Sequence, residues 1–430
     1  MIKIIILLVL LISCINANKL ENTIQLCNDN NFTACNKVGF LYSEGKEVPK
    51  DEIKSDIFYK KACDGKNALG CYNIGVKYMD GEKKDISTAL KYHIKACTYG
   101  DSISCYNVGV FYFEGDGIKR DVIKAIEYYD KACTNNYMMA CCNLGALYSF
   151  GDGIKKDYIK AYNYLMKSCD ANISKSCRML AYVYENGNGI NKDNDKAVQY
   201  YKKACDGTDM IACANLGHLY SIGQGIKKDY KMAKKMYERA ITADIPIAYT
   251  NLGFLYEKGS GVVQNYLKSS ELYKKACDRD EKKGCSNLAS HYYYGTGIKK
   301  DYKKSMEYQK KACKLNLYSS CTHVGIYYME GKVTKKNNKE ALNFLDKACT
   351  SNHAIGCFKM GSIYLNNKDY NKAFNLFEKS CHLGYGLGCY TSGVYYEKIK
   401  DDINKSTQFY KDACKYKYQQ GCNKVKTIQK

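Results

Sequence analysis

Apolar and small residues recur along this chain at offsets 0, 3, 4 and 7 from a cysteine, as in Cys213-Ala-Asn215-Leu216-Gly217-His-Leu219-Tyr220. That spacing keeps them on one face of a helix, here termed helix A. The pattern stops at G-x-G, as in Gly151-Asp-Gly153, where glycine accepts the left-handed backbone that ends a helix. An IKKD run follows and places Asp157 or Asp229 as the N-cap of a second helix, B. One copy of helix B reads DYIKAYNYLMKSC, with Tyr158, Ala161, Leu165 and Cys169 on its apolar stripe. Each helix B closes on a first cysteine, a short loop passes, and a second cysteine opens the next helix A.

The cysteines fall in pairs: Cys27 and Cys35, Cys63 and Cys71, Cys97 and Cys105, Cys133 and Cys141, Cys169 and Cys177, Cys205 and Cys213. After a gap come Cys277 and Cys285, Cys313 and Cys321, Cys349 and Cys357, Cys381 and Cys389, and Cys414 and Cys422. Each pair is C-x7-C, and most start 36 residues after the pair before. The gap is 72, and at its centre Ile241 and Tyr249 occupy the two cysteine slots inside an otherwise intact unit (Asn251-Leu252-Gly253, Tyr256, Gly259, Gly261). Two positions lost together are bonded to each other. A period near 36 predicts a solenoid. Short loops make neighbouring helices antiparallel, so C-x7-C staples helix B of one unit to helix A of the next. The expected fold is all-α: an α/α solenoid, or superhelix, of about eleven helix-turn-helix units. It fills 18–430 as a single repeat domain, with half-unit caps near 19–27 and 422–430. Closing a nine-residue loop stabilises by about 2.5 kcal/mol on the chain-entropy account. The junction at Ile241 and Tyr249 is left to packing alone and is expected to be the weakest.

The string NLGxLYxxGxGIKKDYxKAxxYYKKAC resembles the Sel1-like repeat, a relative of the tetratricopeptide repeat. With C-x7-C in nearly every unit, the chain resembles the Helicobacter cysteine-rich protein family. The likeness covers essentially everything after residue 20. Departures are local: Ala181 and Ala289 replace the helix A glycine, and the G-x-G loop is deleted at 365–370 and eroded at 79–85.

The first residues, MIKIIILLVLLISCINA, carry one early lysine, an apolar run and Ala17 after Ile15, the pattern of a secretory signal peptide over 1–17. Cleavage after Ala17 suits this site. Leu11-Ile12-Ser13-Cys14 also fits a lipoprotein box, and a membrane contact would follow only from lipid on Cys14. The expected location is secreted or periplasmic. There, twenty-four cysteines read as a disulfide framework. Metal is not expected, because no C-x-x-C occurs. The net charge of +22 is spread through every unit as IKK and YKK, which reads as a solvated face. No motif for reading nucleic acid accompanies it, and no cofactor is expected.

The family resemblance implies β-lactamase activity with penicillin binding. The residues give that reading little of their own. Ser43-Glu44-Gly45-Lys46 is the only S-x-x-K, with no S-D-N and no K-T-G, and the six histidines are scattered over different repeats. No catalytic residue is assigned. The other reading is a scaffold for an extracellular or periplasmic protein, a peptide or a peptidoglycan fragment, with a β-lactam as the enzyme alternative. On helix A the offsets +1, +5 and +8 from the second cysteine point away from the apolar face, toward a groove. They hold Tyr72, Val76 and Met79; Tyr106, Val110 and Phe113; Arg178, Tyr182 and Glu185; and Thr250, Phe254 and Glu257. These vary between units where core positions do not, as either a ligand surface or an unconstrained one would. In the doublet Cys141-Cys142, the register of Asn143-Leu144-Gly145 pairs Cys141 with Cys133. Cys142 is left over at +1, as either a buried apolar-like residue or an accessible thiol in the groove.

Overall fold

The computed structural model describes residues 19–79 and 84–428. The expected leader at 1–17, Cys14 included, lies outside the described residues, as do 429–430 of the expected terminal cap. Among the described residues are twenty-four helices and no strand. A helix over 19–28 comes first; A helices such as Phe32–Glu44 and B helices such as Glu52–Asp64 then alternate. The chain forms two compact units, one ending at Ala212 and the other starting at Cys213. From Phe32–Glu44 to Asn194–Asp206 in the first, and from Tyr230–Thr242 onward in the second, each helix packs on the next in the chain, A on B and B on A. The repeated helix pair read from the sequence is the observed solenoid-like fold.

The local signals work as physical chemistry requires. Asp157 and Asp229 cap their B helices, accepting from the backbone N–H groups of Lys160 and Met232, which would otherwise lack partners. Gly151 ends its helix A at φ 71°, in the left-handed region that side chains avoid. At +3, Val108, Leu144, Leu180, Leu252 and Leu288 are buried. The glycine at +4 is needed for closeness as well: a Cβ at Gly109 would lie 2.5 Å from a ring carbon of Tyr129 on the facing helix B.

Position +7, expected in the core, is mostly at the edge. Tyr112, Tyr148 and Tyr292 are half-buried, because +7 falls on the last turn of helix A beside the start of helix B. Each stacks on a helix B tyrosine, Tyr128, Tyr164 and Tyr308, at 5.9, 6.0 and 5.6 Å between centroids. Lys124, Lys160 and Lys304 from the first turn of helix B lie over the same rings at 5.1, 5.2 and 5.3 Å. A second set of lysines links B helices. Lys167, Lys203, Lys311 and Lys347 donate to the carbonyls of Cys133, Cys169, Cys277 and Cys313 at 2.9, 2.8, 2.6 and 3.1 Å. A cation there satisfies an end carbonyl and meets the negative end of the helix dipole. Part of the basic charge is therefore structural.

C-x7-C disulfides join the end of one helix to the helix A that follows. In the first unit Cys27 is bonded to Cys35, Cys63 to Cys71, Cys97 to Cys105, Cys133 to Cys141 and Cys169 to Cys177. In the second, Cys277 is bonded to Cys285, Cys313 to Cys321, Cys349 to Cys357, Cys381 to Cys389 and Cys414 to Cys422. Their Cα separations run from 4.4 Å at Cys381 and Cys389 to 4.9 Å at Cys133 and Cys141, within ordinary disulfide reach. Cys205, in the first unit, and Cys213, in the second, are each disulfide-bonded. At Ile241 and Tyr249 the expectation of packing alone is corrected. Tyr249 donates to Asp244, Asp244 also accepts from Arg279, and the Arg279 guanidinium lies 4.9 Å from the Tyr249 ring centre.

Candidate functional site

Helix A of one repeat, the buried ring of its helix B and helix A of the next repeat form a three-walled depression. In the first unit, Tyr106, Val110 and Phe113 of the helix Ser102–Glu114 line a cavity of about 280 Å³ with Tyr129, Asn143 and Phe150. In the second unit, His218 and Ser221 line one of about 380 Å³ with Tyr237, Asn251 and Phe254. The two are in the same register: residue 110 corresponds to 218, 129 to 237 and 143 to 251, three periods of 36 apart. Each therefore combines +5 and +8 of one helix A with +2 of the next, over a helix B tyrosine. Phe254 is 49% exposed and Phe150 68%, so ring surface is open to a ligand.

The tyrosine at the base is polar only at its tip. Asn143 lies beside Tyr129 and donates its amide to the Tyr106 hydroxyl at 3.4 Å; Ser221 and Asn251 lie beside Tyr237, and burial pushes the Tyr237 phenol up to about 12, so it stays protonated. Elsewhere the same tip meets a carboxylate at +8: Tyr201 donates to Glu185 at 2.8 Å and Tyr273 to Glu257 at 2.7 Å. His291 beside Glu257, with Lys258 and Tyr273, holds its carboxyl well below the usual range.

The stripe at +1 does something else. Arg178 donates to Asp209 at 2.8 Å, Thr250 to Glu281, and Thr322 meets His353 at 2.9 Å. Tyr106 packs on Tyr137 with centroids 5.0 Å apart. Each partner is the N-cap of the next helix A or stands in its place, so +1 sets repeat against repeat. Cys142 corrects the groove reading in the same way: it is unpaired, as the register required, yet fully buried. Its small side chain is enclosed where most other units carry larger groups, such as Tyr72, Tyr106 and Arg178. Tyr72, Val76 and Met79 are half-buried, Met79 with its sulfur 3.2 Å from His93 Nε2. Tyr182 is 54% exposed. The groove stripe read from the sequence included neither the helix B tyrosines nor the +2 asparagine. The signal was present, since asparagine recurs at 73, 107, 143, 215, 251 and 287, on a face where nothing apolar needs it.

Two arrangements bear on catalysis. Gly45 ends the helix Phe32–Glu44, so Lys46 lies beyond it, ion-paired to Glu44 at 3.3 Å, while Ser43 is engaged with Tyr59. Ser270, His291 and Glu257 also converge: Ser270 Oγ is 2.7 Å from His291 Nδ1, and His291 Nε2 is 3.5 Å from Glu257. Ser270 and His291 are 3% and 4% exposed, and Ser270 donates to the Tyr266 carbonyl. A nucleophile needs an open approach, and this trio clamps three helices instead. Among the described residues no cluster of three or more His, Cys, Asp or Glu is placed to hold a metal.

Nine stretches between 33 and 353 match the Sel1 repeat, and residues 354–383 match the tetratricopeptide repeat. A crystal structure of a protective antigen from uropathogenic Escherichia coli, displaying an SLR fold, is similar over 95% of this chain and 90% of its own (TM-score 0.67, 23% identity). Helicobacter pylori cysteine rich protein B is 38% identical over 31% of this chain and 96% of its own (TM-score 0.26). Cytochrome c oxidase assembly factor 7 of Xenopus tropicalis is 34% identical over 64 residues, 14% of this chain. The chain spans only 28% of that relative's length.

Proposed function

This chain belongs to the Sel1-repeat family, and from that premise we propose that it is an exported scaffold binding extended polypeptide segments along its A-helix face. Its C-x7-C pairs fit the Helicobacter cysteine-rich protein family. Repeats of this kind generally mediate protein–protein interaction. One observation carries the reading: two cavities in the same register, each offering open aromatic surface beside an asparagine amide. Such a pair of features suits a peptide, whose side chain fills the depression while its backbone meets the amide. The disulfides, which persist in oxidising compartments, support extracellular or periplasmic action. Binding of short apolar peptides to the oxidised protein tests the proposal, with Val110→Asp and Phe113→Ala expected to weaken it. Equal binding by those variants would overturn the groove. Peptidoglycan fragments competing without effect from either variant would assign the ligand elsewhere. The β-lactamase reading draws on resemblance alone; saturable turnover of a chromogenic β-lactam by pure protein would place it first.

A further inference from the structure

The two cavities share a register and differ in charge. In the first unit, Glu114 and Asp152 line the cavity, and Arg120 at its edge is held by Asp152 at 2.8 Å. Three periods on, Lys228 stands where Arg120 does, but Ile222 replaces Glu114 and Ser260 replaces Asp152. Both carboxylates are gone and the cation remains. Lys228 lines the second cavity with its ammonium 4.8 Å from the ring centre of Tyr230, and no carboxylate of the described residues pairs with it. No acidic residue lines this cavity among those described. The same cavity is lined by Asn251 and by Phe254, whose ring is exposed.

We propose that the second unit's cavity binds an acidic segment of a partner polypeptide, an Asp or Glu carboxylate on Lys228 beside an apolar side chain on Phe254. The inference rests on the peptide-binding reading and adds its charge. An ammonium with no internal carboxylate gains a charge-assisted hydrogen bond from a ligand's carboxylate without breaking an ion pair. The +22 net charge draws acidic partners toward the surface, and the site then selects among them by contact.

The test uses the full oxidised chain at physiological salt and two fluorescein-labelled hexapeptides, one of alternating Phe and Glu and one of alternating Phe and Gln. The acidic peptide should bind about tenfold tighter, the size of one charged hydrogen bond. Lys228→Met should erase the difference. Ser260→Asp, which returns the first unit's internal carboxylate, should erase it too, and both are surface changes that spare the core. Phe254→Ala should weaken both peptides alike. Equal binding of the two peptides would overturn the carboxylate preference and leave the groove standing. Binding of neither would overturn both. A preference that survives Lys228→Met and is competed by polyphosphate would show diffuse attraction to charge, and would overturn the site.

Discussion

The Tyr249 hydroxyl donates to Asp244 Oδ1 at 2.9 Å across the one loop whose unit carries no cysteine pair. Arg279 holds the same carboxylate and keeps its pKa below the ordinary value. The covalent staple has been replaced by a polar one that water screens. In the oxidised protein, hydrogen exchange should still open residues 238–252 before the stapled loops. After reduction the order should change: protection falls at the cysteine loops, each losing about 2.5 kcal/mol, and holds at this one. Equal loss everywhere would refute the replacement. Ile241→Cys with Tyr249→Cys should raise stability only if the new bridge forms.

The close approach of Gly109 to Tyr129 predicts a cost for any added side-chain carbon. Gly109→Ala should destabilise by about 1–3 kcal/mol, as overpacking does. The native Ala181 opposite Tyr201 marks the lower end, since that helix pair has settled around it. Urea unfolding at constant slope measures the loss.

Lys203 donates to the Cys169 carbonyl at 2.8 Å. Lys203→Met keeps the stem and removes the charge, and should cost about 0.5–1 kcal/mol, shrinking in high salt. A salt-independent loss would point to packing instead.

His93 takes the place of a buried helix B tyrosine, fully buried with Nδ1 3.1 Å from Ser104 Oγ. Burial pushes its pKa down to about 4, from 6.5 when exposed. The folded form refuses the proton that the unfolded chain accepts, so its stability is complete above pH 6.5 and declines as pH falls toward 4. By then the loss from this group is about 3 kcal/mol. A His93→Gln variant should lack that part of the acid sensitivity; identical pH profiles would refute it.

Cys142 should be silent to thiol reagents in the native protein and react once on unfolding. Fast labelling of one native thiol at residue 142 would contradict its burial.

The sequence by itself determined everything that is local or periodic. Helix phase, N-caps such as Asp157, left-handed glycines such as Gly151 and the register of the cysteine pairs depend on neighbours a few residues apart. The same periodicity showed that Cys142 has no partner. Exposure was another matter, because it depends on what an adjacent repeat brings up. Position +1 looked open on an isolated helix and is covered by the next N-cap, as Arg178 is by Asp209. Position +7 looked buried and sits at an edge, stacked and covered by lysine. The unpaired state of Lys228 needed tertiary structure as well, since its missing partner is a residue on the following helix-pair loop. A helical wheel fixes a direction in one helix, and only packing decides what stands there.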